Sequence, residues 1–124
     1  MLRSESVVKI VDNSGAKKGK CIKVLTPVST QGYKVAKVGD TIMISLKRVL
    51  PDKKVKKGNK YKALIVTTKQ YIKRALGNIR FNKNSVILLN KNAEPLGSRL
   101  NSHIVKEIRE RRFSKTVTLA VGLL

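Results

Sequence analysis

Along the first ninety residues, apolar positions come in short runs that mostly alternate with polar ones, the two-residue period of strands. Val7 to Val11 is the first run, and Asp12-Asn13-Ser14-Gly15 follows as a dense turn signal. Asx and Ser side chains bond to nearby backbone, and glycine accepts a positive φ. Cys21 to Leu25 reads as the second strand, with Pro27 ending it or marking an edge. Val38-Gly39-Asp40 turns the chain into a long alternating run, with Ile42, Ile44 and Leu46 on one face and Met43, Ser45 and Lys47 on the other; Pro51-Asp52 closes it. Lys57-Gly58-Asn59 turns into Tyr61 to Thr68, whose β-branched content predicts a strand. Residues 69–85 are basic and weakly apolar around Gly77-Asn78, the pattern of a two-armed ribbon. Val86 to Leu89 then returns as a buried strand.

The tail has a different rhythm. Ser102 is placed to cap a helix over His103 to Arg111, with Ile104, Val105 and Ile108 turned inward and Glu107 and Arg111 at a favourable i,i+4 spacing. Residues 116–121 are apolar and fit either a strand or a short helix. Five or six short strands with a helical tail predict a mainly β protein built on a small, closed or nearly closed barrel, because closure removes bare sheet edges. One domain is expected over residues 1–124: a barrel over about 1–90, including a ribbon at about 69–85, and a helical tail over about 100–124.

Charge changes this from a generic barrel into a binding protein. Lys and Arg total 28 against 7 acidic residues, a net charge of +21. That much like charge repels itself until a polyanion neutralises it, and nucleic acid does so by accepting Lys and Arg at its phosphates. An anionic membrane is the other polyanion, but no apolar stretch approaches the length of a membrane span and no long basic amphipathic helix is present. The basic residues cluster: Lys17, Lys18 and Lys20; Lys53, Lys54, Lys56, Lys57 and Lys60; Lys69, Lys73, Arg74 and Arg80; and Lys106, Arg109, Arg111, Arg112 and Lys115. The first three groups, with Arg48, are the candidate RNA-binding residues, expected on turns of the barrel.

Other chemistry finds little support. The single histidine, His103, falls in an expected surface helix, and the seven carboxylates are scattered with no paired acid–base spacing. A triad of Asp12, Ser14 and His103 is the only enzyme reading, and the turn explains Asp12 and Ser14 better. Cys21 is the only cysteine, so it has no disulfide or zinc partner and reads as a small buried side chain. No catalytic residue, metal ligand or cofactor is expected. The five aromatics, Tyr33, Tyr61, Tyr71, Phe81 and Phe113, are dispersed and form no base-stacking platform. Backbone and shape recognition of folded RNA remains, with a free nucleic-acid chaperone or histone-like DNA compactor as the competing reading.

Several segments resemble one family. Val11-Asp12-Asn13-Ser14-Gly15-Ala16-Lys17-Lys18, Cys21 to Leu25, Val38 to Ile42, Val55 to Gly58, Lys62 to Lys69, Ile79 to Asn84, Leu88 to Asn90, Glu94 to Arg99 and Arg112 to Lys115 are similar, in order and spacing, to the large-subunit ribosomal protein L-fourteen family. The resemblance implies a five-stranded β-barrel with a protruding β-ribbon and one or two short C-terminal helices. It also implies binding to large-subunit rRNA and neighbouring large-subunit proteins, and a bridge to small-subunit rRNA. By the same resemblance Ser98, Arg99, Arg112, Phe113 and Lys115 lie at the intersubunit face, where the bacterial type also receives a ribosome-silencing factor.

The sequence departs from the family at three places. Leu76-Gly77-Asn78 stands where the ribbon turn usually has Asp-Gly, Arg112 replaces an acidic residue, and the last residues lack a usual proline. Lys exceeds Arg by 20 to 8, with frequent Asn and Ile, a bias of AT-rich genomes. Together with the bacterial and organellar pattern it points to a mitochondrial ribosome, with a bacterial cytoplasmic or plastid one as the alternatives. The N-terminus leads straight into the first strand with no signal peptide or Arg/Ser-rich transit extension, so the protein is expected either to work where it is made or to have had a leader removed.

Overall fold

The computed structural model of the chain describes residues 2–25, 35–111 and 113–124. Five strands close a barrel in the order β1 (Val7–Ile10), β2 (Ala16–Val24), β3 (Thr41–Val49), β4 (Lys60–Thr67) and β7 (Ser85–Leu89). Neighbours pair antiparallel except β1 and β7, which close the barrel in parallel. The small two-stranded ribbon consists of β5 (Ile72–Arg74) and β6 (Gly77–Ile79). Two short helices follow, α1 (Lys106–Glu110) and α2 (Ser114–Leu119). The mainly β barrel with ribbon and short helices is therefore the observed architecture. Pro27, Tyr33 and Arg112 lie outside the described residues.

The alternation in β3 does what its pattern predicts: Ile42, Ile44 and Leu46 are fully buried, while Met43 and Ser45 between them are half-buried. Register carries the same face into β4 and β7, pairing Ile42 with Ala63, Ala63 with Leu88 and Ile65 with Val86. Leu64 and Ile87 pair on the outer face, yet neither is exposed at all. The buried Leu100, Ile104, Val105 and Ile108 of the C-terminal segment belong to the same core cluster and supply that second layer. This explains why β7 reads as a continuous apolar run rather than an alternating one.

Strand β2 is longer than the expected Cys21–Leu25, beginning at Ala16. The cluster Lys17-Lys18-Gly19-Lys20 lies inside this strand, not on a turn. Its pairing with β3 slips between Ala16 and Lys18 and again between Lys18 and Gly19. Such a bulge adds a residue to one strand and re-aims side chains. Here it leaves Lys17 and Lys18 both exposed, although they are adjacent. Gly19 then faces inward, where a Cβ would crowd Ile44 Cδ1 at 3.0 Å and the Ser45 carbonyl at 3.3 Å. The glycine makes room for the β3 isoleucine.

The tail corrects three expectations. Helix α1 starts at Lys106, not His103, and Val105 precedes it without a side-chain cap. Ile104 forms a parallel bridge with Leu123 and donates its N–H to the Gly122 carbonyl, which holds the chain extended past the expected start. Ser102 Oγ donates to the His103 carbonyl instead of capping a helix. Glu107 and Arg111 do not pair with each other either. Arg111 Nη1 bonds to Asp40 and Glu107 takes Arg74 from the ribbon, tertiary partners in place of a local one. The undecided segment 116–121 is mostly helix, as the second half of α2.

Arg74 fixes the ribbon to the body. Its Nε and Nη2 donate to the two Glu107 carboxylate oxygens at 3.0 and 2.8 Å, and its Nη1 donates to the Leu124 carbonyl. The guanidinium holds Glu107 below its ordinary value of 4.5. A depressed folded value means the pairing stabilises above about pH 4.5 and is lost as pH falls through the lower folded value. Arg74→Ala is expected to speed hydrogen exchange across 72–79 at neutral pH, and the wild type should show the same loosening once pH falls below the lowered folded value of Glu107. Unaltered protection in the variant would show that the ribbon is held by something else.

Candidate nucleic-acid interface

The first turn, Asp12 to Gly15, organises this end of the barrel. Asp12 is buried, and its Oδ1 accepts the Ser14 N–H at 3.1 Å and the Ser14 hydroxyl at 2.5 Å. Its Oδ2 accepts the Leu88 N–H of β7 at 3.0 Å. Both oxygens are therefore engaged, one within the turn and one to strand β7, and His103, exposed beside Gly122, is not part of the cluster. The residues of the enzyme reading make a structural stitch. Asn13 Oδ1 accepts the N–H groups of Ser98 and Arg99 at 2.8 and 3.3 Å, and its Nδ2 donates to Ser98 Oγ. Gly15 has φ of 104° and lies against the side chain of Lys53, where a Cβ would collide. One four-residue turn thus seats both the Ser98-Arg99 loop and the lysine loop between β3 and β4. Val55, the one buried residue of that loop, plugs it into the core and leaves Lys53, Lys54, Lys56 and Lys57 exposed, with Lys60 exposed at the start of β4.

Beside this turn runs an open groove of about 670 Å³. It crosses the outer face of β1 from the end of β3 to the base of the ribbon. Lys9, Lys17, Lys18, Arg48, Lys69 and Lys83 line it, with Val7, Leu50, Asn82 and Asn84 between them. The β2 bulge contributes two of these cations. The parallel β1–β7 pairing contributes more, because it brings the segment before β7 against β1, with the Lys9 N–H donating to the Asn84 carbonyl at 3.0 Å. Lys9 and Lys83 are absent from the sequence clusters. Each is isolated in the chain, and only the outward period-two position of Lys9 between Val8 and Ile10 could have singled it out.

The acids are kept away from this groove. Glu5 pairs with Lys20, Asp40 with Arg111, Glu94 with Lys115 and Glu107 with Arg74. Lys20 and Lys115 hold their glutamates below the ordinary carboxylate range. Asp12 sits in the turn, Asp52 beside Lys53 and Lys54, and Glu110 beside the ribbon. None of the seven lines the groove, so its lining cations have no carboxylate among them.

The expected RNA-binding residues thus fall into four groups. Lys17, Lys18, Arg48 and Lys69 converge in the groove, and Lys53, Lys54, Lys56, Lys57 and Lys60 form an exposed flank. Lys73 and Arg80 are exposed on or beside the ribbon, where Arg80 stacks over Tyr71 at 5.0 Å from the ring centroid. Lys20 and Arg74, however, are committed to Glu5 and Glu107. Of the expected intersubunit residues, Ser98 and Arg99 are exposed on the Asn13-held loop and Lys115 is exposed beside Glu94, whereas Phe113 packs half-buried on the core. Cys21 is buried in the core, and burial pushes its thiol up, away from the reactive thiolate. Among the described residues no cluster of His, Cys, Asp and Glu could hold a metal ion. A family model described as ribosomal protein L14p/L23e matches residues 1–124, the whole chain.

Proposed function

We propose that this chain, which belongs to that family and is thus a structural, non-enzymatic protein of the large ribosomal subunit, binds rRNA mainly through the β1–β2 groove and the 53–57 loop. The observation that carries this is the convergence of six cations with no lining carboxylate. Exposed, closely spaced like charges raise the cost of the free protein, and phosphates remove that cost while releasing counterions.

In the same reading Ser98, Arg99, Arg112, Phe113 and Lys115 face the small subunit and its rRNA. Asn13 fixes the backbone of Ser98 and Arg99 in this surface, which is also where a silencing factor would dock. The excess of Lys over Arg favours a mitochondrial ribosome over a bacterial or plastid one.

Sedimentation of a cell or organelle extract through a high-salt sucrose gradient tests the assignment. The chain should co-migrate with large subunits and be scarce at the top. A dominant free pool, or one moving with DNA, would instead favour the chaperone or compactor reading.

A further inference from the structure

The groove has a floor that a phosphate track alone does not explain. Val7 is 62% exposed and Leu50 42% exposed, and both line it among the cations. Single exposed apolar side chains are ordinary on protein surfaces. Two sharing one concave cationic site form a surface with its own chemistry. We propose that this groove seats one unpaired nucleotide of the RNA, with flanking phosphates on Lys17, Lys18 and Lys69 and the base over Val7 and Leu50. The inference rests on the RNA-binding reading above and adds the class of RNA feature bound.

The groove's contents fit a nucleotide better than a duplex edge. A duplex presents phosphates and sugars, keeps its bases stacked inside, and would cover the apolar floor without matching it. An unstacked base offers a flat face to aliphatic carbon and a polar edge to hydrogen-bonding groups. The required polar partner is present: Asn84 Oδ1 already accepts the Lys69 N–H at 3.0 Å, which leaves the amide NH₂ to donate to an acceptor on a base edge. Among the described residues no aromatic ring lines the groove, so aliphatic contact and the Arg48 guanidinium plane take the stacking role. About 670 Å³ lies within the range of roughly 300–1,000 Å³ that small-molecule sites occupy. Open ends let the strand enter and leave. An acidic peptide with one apolar side chain would satisfy the same charges and floor, but the donor amide and the array of lysines suit a base and its phosphates better.

The test uses the purified full chain and two RNA hairpins with the same stem, one fully paired and one carrying a single fluorescent aminopurine bulge. The bulged hairpin should bind about tenfold tighter, the scale of burying one base face on apolar carbon, and its fluorescence should change over the same titration. Val7→Ser with Leu50→Asn should abolish the preference, lowering affinity for the bulged hairpin to that for the paired one. Both positions are exposed, so the variant should melt as the wild type does; if the pair does not fold, Val7→Ser alone should still shrink the preference. Equal binding of the two hairpins, or a preference that survives the substitutions, would overturn the proposal and leave the RNA reading standing. Failure to bind either hairpin would remove the RNA reading, and this inference with it. Tighter capture of a Glu-rich, Leu-containing peptide than of the bulged RNA would assign the groove to a protein partner.

Discussion

Replacing Lys17, Lys18, Arg48 and Lys69 together with glutamine is expected to weaken binding to large-subunit rRNA by about a hundredfold or more near physiological salt. Each lost phosphate contact should also flatten the log–log salt dependence by roughly 0.7–0.9, about 3 in total for four contacts. All four side chains are exposed, so no core contact is lost. Folding stability should hold steady or rise slightly, because removing like charges relieves self-repulsion. A charge-matched control separates the site from net charge: glutamine at Lys23, Lys62, Lys91 and Lys106, all exposed and outside the groove. That variant loses the same four charges and should bind within about fivefold of wild type, since unlocalised charge acts mainly through screened, long-range attraction. Equal losses in the two variants would mean that bulk charge, not the groove, carries the affinity. Filter binding across a salt series measures both quantities.

The barrel was largely legible in the sequence, and the groove only in part. Alternation in β3 located the interior, and turn residues located the strand ends, because both signals are local. The start of β2 was missed because Lys17, Lys18 and Gly19 look like a basic turn. Only pairing with β3 reveals a bulge that turns two lysines outward and a glycine that yields space to Ile44. The sequence pattern starts helix α1 three residues too early because the bridge from Ile104 to Leu123 is a tertiary event with no local signature. The site shows the same division. Clustered lysines stand out along the chain, but Lys9 and Lys83 join the groove only through parallel β1–β7 closure. For Lys20 and Arg74 the sequence shows the charge but not that Glu5 and Glu107 fold against them. Conversely, Leu50 carries no local signal, whereas Val7, two residues before Lys9, shares its outward period-two face.

Asp12→Ala should cost about 3 kcal/mol of folding stability, lowering the melting temperature by roughly 10 °C. Strand β1 ends at Ile10, so β7 loses its parallel neighbour after the Val11 N–H reaches the Val86 carbonyl. The next inward-facing donor, the buried Leu88 N–H, then has the Asp12 carboxylate as its acceptor. Alanine leaves that donor unsatisfied, which alone costs about 1–3 kcal/mol, and also releases Ser14. Asp12→Asn is the sharper probe. Its oxygen can still accept from Ser14, but its NH₂ then meets the Leu88 N–H, donor against donor, so it should be nearly as damaging as alanine despite its matched shape. The loss should also reach the surface, because the same turn carries Asn13 and Gly15. Hydrogen exchange should quicken at residues 97–99 and in the 52–57 loop, whereas Asn13→Ala should quicken only 97–99 and leave the barrel nearly as stable. Urea unfolding provides the energies. A loss below about 1 kcal/mol for both Asp12 variants would show that the barrel seam closes without the carboxylate, and that the turn is a surface feature rather than the joint on which both basic surfaces are hung.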